Sequence, residues 1–345
     1  MIDLRSDTLT KPSSEMKQAM YHAELGDDGR LDSSGSSEDP TVRKLEKLSA
    51  NISGHDDALF CNSGTMANYI AVLTHGLHRG DKILTDRLSH IYRSEKALFM
   101  NDLLGFEPRF YPIDKYGIPD TKTIENHLIN KDINLIAIEN THNSNGGTCI
   151  SAEHMQNLSD LARNHDIPIH LDGARIFNAA VHFGIDVDQF TSSVDSVMFC
   201  LSKGLGAPIG SMLCGPHDFI QEARKMRKIL GGSLRQAGVI AAAGIVALEE
   251  GVERLKTDHK KATYLAKEIN SHFTKVDLKT VQTNIINADI SSSGYSAFQL
   301  KTDFEKSGLR LNAISDTKIR LVIHKDISDE DIKAAAELIN NHFNI

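Results

Sequence analysis

The chain has 345 residues and a formal net charge of −8 at neutral pH, enough length for one large unit with a smaller appendage and no basic excess to draw nucleic acid. Its four cysteines, Cys61, Cys149, Cys200 and Cys214, lack C-x-x-C spacing, which argues against a zinc site or a disulfide framework. The longest apolar segment, 237–248, is too short to span a bilayer and reads as a buried helix; with no apolar leader at the start, the expectation is a soluble, cytoplasmic protein with no metal, nucleic-acid or membrane partner.

In chain order, the first unusual segment is 26–39, which holds one apolar residue, Leu31. It cannot add much to a core and reads as a mobile surface loop or a lid. The apolar run 58–61 predicts a strand, followed by Asn62-Ser63-Gly64-Thr65 and a helical pattern with Met66, Tyr69, Ile70, Leu73 and Leu77 on one face. A Ser-Gly-Thr turn at a helix start offers free N–H groups and hydroxyls, which suits a phosphate ester. Alone it is an ordinary helix cap. Further strands are predicted at 82–85, 135–138, 167–171 and 197–201, with a helix over 152–165 presenting Met155, Leu158, Leu161 and Ala162. This alternation predicts an α/β fold, a mainly parallel sheet with helices on both faces. Gly231-Gly232-Ser233 precedes a long helix over 235–255 and a second over 258–273; short strands at 284–288 and 318–324 and a helix after Ser328 complete the chain. The expected division is a large domain, 1–249, and a small C-terminal α+β domain, 250–345.

Two predicted strand ends carry the chemistry: Leu171-Asp172-Gly173-Ala174-Arg175 and Leu201-Ser202-Lys203-Gly204. In an open α/β sheet, ligands collect at the carboxyl ends of strands, so a lysine amine, a carboxylate and a guanidinium would share one crevice. Lysine forms Schiff bases with carbonyl compounds, pyridoxal phosphate (PLP) among them, and an acid against the pyridine nitrogen keeps that nitrogen protonated. Each group alone is a commonplace loop residue. A phosphate turn, an acid and a lysine in that order read as a PLP enzyme.

Longer blocks extend this reading: Asp3-Leu4-Arg5-Ser6-Asp7-Thr8, Ser89-His90, Glu139-Asn140-Thr141-His142-Asn143, Arg235-Gln236-Ala237-Gly238 and Lys318-Ile319-Arg320-Leu321-Val322. With them the chain resembles the low-specificity L-threonine aldolases, fold-type I PLP enzymes of the β-eliminating lyase group. The resemblance implies that Lys203 holds PLP, that Asp172 pairs with the pyridinium nitrogen, that Arg175 lies near the phenolic oxygen and that His90 stacks on the ring. It places Ser63, Gly64, Thr65 and Ser202 on the phosphate, with Arg235 reaching it from a neighbouring subunit. Arg320, helped by Ser6 and beside Arg175, would receive the substrate carboxylate, and His142 would take the β-hydroxyl proton directly or through water. The implied reaction is aldol cleavage of L-threonine or L-allo-threonine to glycine and an aldehyde. The implied assembly is a homo-oligomer, a dimer or a dimer of dimers (homotetramer), with shared active sites.

The chain departs from that group on the substrate side. A serine-rich stretch at 29–37 replaces a short tyrosine-bearing block, and the aromatic expected four residues after His90 is Ser94, although Tyr92 is close by. Both changes predict a more open pocket for the β-substituent. They also keep two other readings in view: a PLP lyase or racemase for a different β-substituted amino acid, and a PLP-binding regulator without activity.

Overall fold

Burial on both faces governs the central sheet. Leu135–Glu139, Ser196–Cys200 and Ser211–Gly215 are buried at every position, as strands covered by helices on both sides must be. The structure, a computed structural model describing residues 1–343, joins seven strands in the order Asp57–Cys61, Ser211–Gly215, Ser196–Cys200, Ile169–Asp172, Leu135–Glu139, Lys82–Thr85, Glu107–Phe110. Ser211–Gly215 runs antiparallel to both neighbours and the other pairs are parallel. Register places Glu139 opposite Asp172 and Asp172 opposite Met198, so the chemistry-bearing ends finish level.

The helix after the first of these strands spans Gly64–Thr74 and differs from its predicted facing. Ala67, Ile70 and Ala71 pack on the sheet, whereas Met66, Tyr69 and Leu73 are only partly buried and Leu77 lies beyond the helix end. Small residues are what let this helix lie close to the sheet, so the large ones fall to its flanks. The helix Ala152–Arg163 buries Met155, Leu158 and Ala162 as expected.

The two helices predicted over 235–255 and 258–273 are one, Gly238–Ile269. It runs from the main core, which ends at Leu255, into a second core that includes Ala262, Leu265, Ile286, Leu321 and Ile339. Residue 250, the expected domain limit, lies inside it. A three-stranded antiparallel sheet, Asn312–Ser315, Lys318–Val322 and Ile285–Asp289, and the helix Asp329–His342 cover the second core, with Ile2–Asp3 paired to Leu309–Arg310 beside it.

Segment 26–39 is not the free loop its composition suggests. Asp28, Ser37 and Asp39 are buried. Asp28 pairs with Arg227 at 3.1 Å, its N–H bonds the Arg235 carbonyl at 2.9 Å, and Ser37 Oγ donates to its carboxylate at 3.2 Å. Asp39 caps the helix Pro40–Ser53 and also accepts from the N–H groups of Gly26 and Gly238. Carboxylates on backbone amides, rather than apolar side chains, anchor this stretch, and none of its residues lines either of the two cavities described below.

Candidate active site

Five strands present their carboxyl ends to one crevice: Asn62 to Thr65 follow Asp57–Cys61, Asp86 and His90 follow Lys82–Thr85, Glu139 and Asp172 close their strands, and Lys203 follows Ser196–Cys200. A cavity of about 280 Å³ there is lined by Ser63, Gly64, Thr65, His90, Asp172, Ser202 and Lys203, with Asn68 at its base. Seven residues predicted from the sequence thus share one site.

At one end, Ser63 Oγ accepts the Met66 N–H at 3.1 Å, and Ala67 N–H bonds the Ser63 carbonyl at 3.1 Å. The first two amides of the helix, Gly64 and Thr65, have no partner within it and face outward as an anion site. A Cβ on Gly64 would stand 2.7 Å from Met198 Cε and 2.9 Å from Cys200 Sγ. A larger residue here would push Met198 and Cys200 aside, so glycine lets this turn lie close on the sheet.

At the other end, Asp172 is buried; its Oδ1 accepts from the Ala174 N–H at 3.2 Å and its Oδ2 from Asn68 Nδ2 at 2.9 Å. That bond fixes the Asn68 amide, so its Oδ1 accepts from His170 Nε2 at 3.0 Å. Burial, with His75 nearby, pushes the His170 pKa down to about 3, and burial pushes His75 to about 4. Neutral His170 with its proton on Nε2 offers a lone pair on Nδ1 to the Ser196 hydroxyl at 2.9 Å, and Ser196 Oγ accepts from His75 Nε2 at 2.8 Å. Every donor in this chain points toward Asp172. Aligned dipoles favour its charge, and no second charge is buried to achieve it.

Lys203 sits on a tight turn closed by the Gly206 N–H on the Lys203 carbonyl at 2.9 Å, with Gly206 at φ +86°. Thr10 Oγ also donates to that carbonyl at 3.2 Å. His90 is fixed twice, by its N–H on Glu139 at 2.7 Å and by Nδ1 on Glu95 at 3.0 Å. In the neutral ring, donation from Nδ1 to a carboxylate leaves Nε2 as the acceptor. Burial lowers the His90 pKa, but Glu95 and the charge of Asp172 outweigh it and hold the imidazole above its ordinary range.

A second cavity of about 470 Å³ shares His90 and is lined also by Arg93, Ser94, Asn143 and Arg320. Arg320 is half-buried, and among the described residues its guanidinium has no hydrogen-bond or ion-pair partner; its Nε is buried and unpaired. Burial and the nearby charge of Arg175 lower its pKa to about 10. A cation held out of water without an anion is a receptor for a carboxylate.

Four predicted residues line neither cavity. Arg175 is buried and forked onto Asp7 at 2.6 and 2.7 Å, with a third donor on Asn143 at 3.2 Å. Burial raises the Asp7 pKa, yet Arg175 outweighs it and holds the carboxyl well below its usual range. His142 is buried, accepting the Asn145 N–H on Nδ1 and facing Asp86 with Nε2, each at 3.3 Å. Ser6 Oγ accepts from Thr8 N at 3.2 Å and Thr8 Oγ at 2.8 Å. Arg235 is 71% exposed and touches Asp27 at 3.2 Å. Sequence reasoning missed Asn68, Glu95 and Asp7. The available signal was a polar residue on the buried face of a helix, as at Asn68, and an acid beside a site residue, as at Asp7.

The β-eliminating lyase sequence profile matches residues 3–291. The chain belongs to that family. It is 38% identical to low-specificity L-threonine aldolase 1 of Arabidopsis thaliana, over 96% of this chain and 93% of the relative. It is 36% identical to the low-specificity L-threonine aldolase of Escherichia coli K12, over 97% of each. A solved threonine aldolase of Leishmania major superposes with a TM-score of 0.82 at 15% identity, over 99% of this chain and all of that one, which establishes the shared fold. Like its relatives in the β-eliminating lyase family, this chain is an α/β enzyme. Among the described residues no helix is long and apolar enough to cross a membrane.

Proposed function

We propose that this protein is a PLP-dependent aldehyde-lyase cleaving L-threonine and L-allo-threonine to glycine and acetaldehyde. The observation that carries the reading is the cavity in which Lys203, Asp172 and the open amides of Gly64 and Thr65 converge, beside a second cavity holding the unpaired Arg320. These residues fit PLP: an amine for its aldehyde, a held carboxylate for its pyridinium and a helix start for its phosphate, with Ser63 and Ser202 adding hydroxyls. When bound, PLP supplies a sink for the electron pair of the Cα–Cβ bond.

The chain's own residues do the rest. Arg320 pairs with the substrate carboxylate and so sets which bond at Cα is presented. Asp172, held in place by the Asn68 chain, faces the positive charge opposite it. Neutral His90, on the wall common to both cavities, takes the β-hydroxyl proton on Nε2, whereas His142 is buried with both ring nitrogens engaged and takes no part in the transfer. General-base help of this kind contributes about 10²–10⁴ in rate. A proton returned at Cα completes glycine. Arg235, exposed and clear of its own cavity, reaches the phosphate of a second copy, so the working form is a cytoplasmic homo-oligomer, a dimer or a dimer of dimers.

The test is to incubate the protein and PLP with L-threonine, following acetaldehyde and glycine, and to locate the borohydride-fixed cofactor by peptide mapping. Equal amounts of the two products and a label on Lys203 are expected. Bound PLP with no acetaldehyde would point instead to a lyase or racemase for another β-substituted amino acid.

A further inference from the structure

The substrate-side cavity has a charge pattern that threonine does not use. Its lining contains two arginines, Arg320 and Arg93, and no aspartate or glutamate. Arg93, like Arg320, has no hydrogen-bond or ion-pair partner among the described residues. Two further polar groups there have donors to spare: the Ser94 hydroxyl makes no bond within the described chain, and Asn143 accepts Arg175 on Oδ1, leaving its amide N–H groups, whereas the Ser144 hydroxyl is already spent on the Leu88 carbonyl at 2.8 Å. Leu88, Ala313 and Ile314 supply apolar wall but no counter-charge.

The Arg93 side chain is exposed, and packing fixes the backbone that carries it. It closes the short helix His90–Arg93, three residues after His90 and therefore on the same face. Ser89 caps that helix, and the Tyr92 ring packs edge-on against Phe99 at 5.5 Å and Phe110 at 4.8 Å. His90 is itself locked by Glu95 and Glu139. The backbone that carries Arg93 is thus held on the wall of this cavity, and Arg93 is absent from the lining of the one that holds Lys203 and Asp172. Ser94, where a bulky aromatic would fill this region, leaves the space open.

We infer that the preferred substrates are β-hydroxy-α-amino acids with a second carboxylate on Cβ, the 3-hydroxyaspartate class, with Arg320 taking the α-carboxylate and Arg93 the β-carboxylate. This rests on the aldolase reading above and specifies its substrate. The methyl group of threonine leaves Arg93 solvated and contributes nothing; a carboxylate there gains a charge-assisted pair, and a cavity with two arginines and no carboxylate on its wall concentrates dianions. The chemistry balances without any added reagent. The Cα–Cβ bond breaks with its electron pair left on Cα, the β-hydroxyl loses its proton as Cβ becomes an aldehyde, and Cα takes up a proton, giving glycine and glyoxylate.

The experiment measures kcat/KM for the L-3-hydroxyaspartate diastereomers and for L-threonine in the wild-type holoenzyme, Arg93→Met and Arg93→Lys, following glyoxylate and acetaldehyde. The wild type should favour hydroxyaspartate. In Arg93→Met the ratio of the two constants should fall about 10- to 100-fold, the value of one hydrogen-bonded charge, and Arg93→Lys should restore part of it. Succinate should inhibit threonine cleavage more strongly in the wild type than in Arg93→Met. Threonine preferred by the wild type, or a ratio unmoved by Arg93→Met, overturns the inference while leaving the aldolase reading intact. Cleavage of neither substrate overturns both.

Discussion

Asn68 shows how much one buried amide can decide. It is the link through which His170, Ser196 and His75 act on Asp172, and its orientation leaves no freedom for any proton in the chain. Asn68→Asp would set a second carboxylate about 3 Å from Asp172, and like charges that close raise the pKa of the pair. The variant should hold PLP weakly, and the pH at which the absorbance of its bound cofactor changes should move; an unchanged titration would remove Asn68 from any role in the site. Asn68→Ala should strand the His170 Nε2–H in the interior, costing ~1–3 kcal/mol in urea unfolding of the apoprotein. Arg320→Ala should raise the KM for amino acid while PLP binding survives, a loss of about 2–5 kcal/mol, and an unaltered KM would move the carboxylate site elsewhere. Lys203 and Asp172 were legible in the sequence because both stand at the ends of apolar runs. Asn68 was not, because its partner Asp172 lies 104 residues further along the chain and only the fold brings them together.

Elements were legible where periodicity alone decides them and misread where side-chain pairing overrides composition. The polar interval near residue 256 looks like a gap between two helices, but it contains no glycine or proline. Arg254 and buried Asp258, one turn apart, bond at 2.8 and 2.9 Å and carry the helix across it. Segment 26–39 was misread for the same reason. Its polarity predicted mobility, yet Asp28 and Arg227 are almost fully buried and Arg227 also donates to the Phe60 carbonyl at 2.6 Å, in the strand that leads to the phosphate turn. Asp28→Ala should therefore destabilise the protein by ~3–5 kcal/mol by leaving a buried guanidinium unpaired. The double variant Asp28→Ala, Arg227→Met should recover much of that loss. Equal urea midpoints for wild type and Asp28→Ala would mean that the pair adds no net stability.

Across the whole molecule, buried imidazoles set the response to acid. Six histidines, His55, His75, His154, His170, His182 and His259, are lowered chiefly by burial, against two, His90 and His142, raised by neighbouring carboxylates. A histidine whose folded pKa is depressed stays neutral below its unfolded value of about 6.5 while the unfolded chain takes up a proton. Its contribution is therefore full above that value and is lost as pH falls. For His170, folded value about 3, the loss continues through the whole interval at up to ~1.4 kcal/mol per pH unit. The raised pair works in the opposite sense, gaining stability as they protonate, but they are outnumbered. At lower pH still, Asp7 must protonate and release Arg175, which removes the contribution of that pair as well. Urea midpoints at fixed protein concentration should thus decline steadily from pH 6.5 to pH 4. His170→Gln keeps a donor for Asn68 Oδ1 and cannot titrate, so its stability should decline less steeply than the wild type by about one proton equivalent. Parallel curves for the two proteins would show that His170 is not held neutral beneath the sheet, and the directed chain to Asp172 would fall with it.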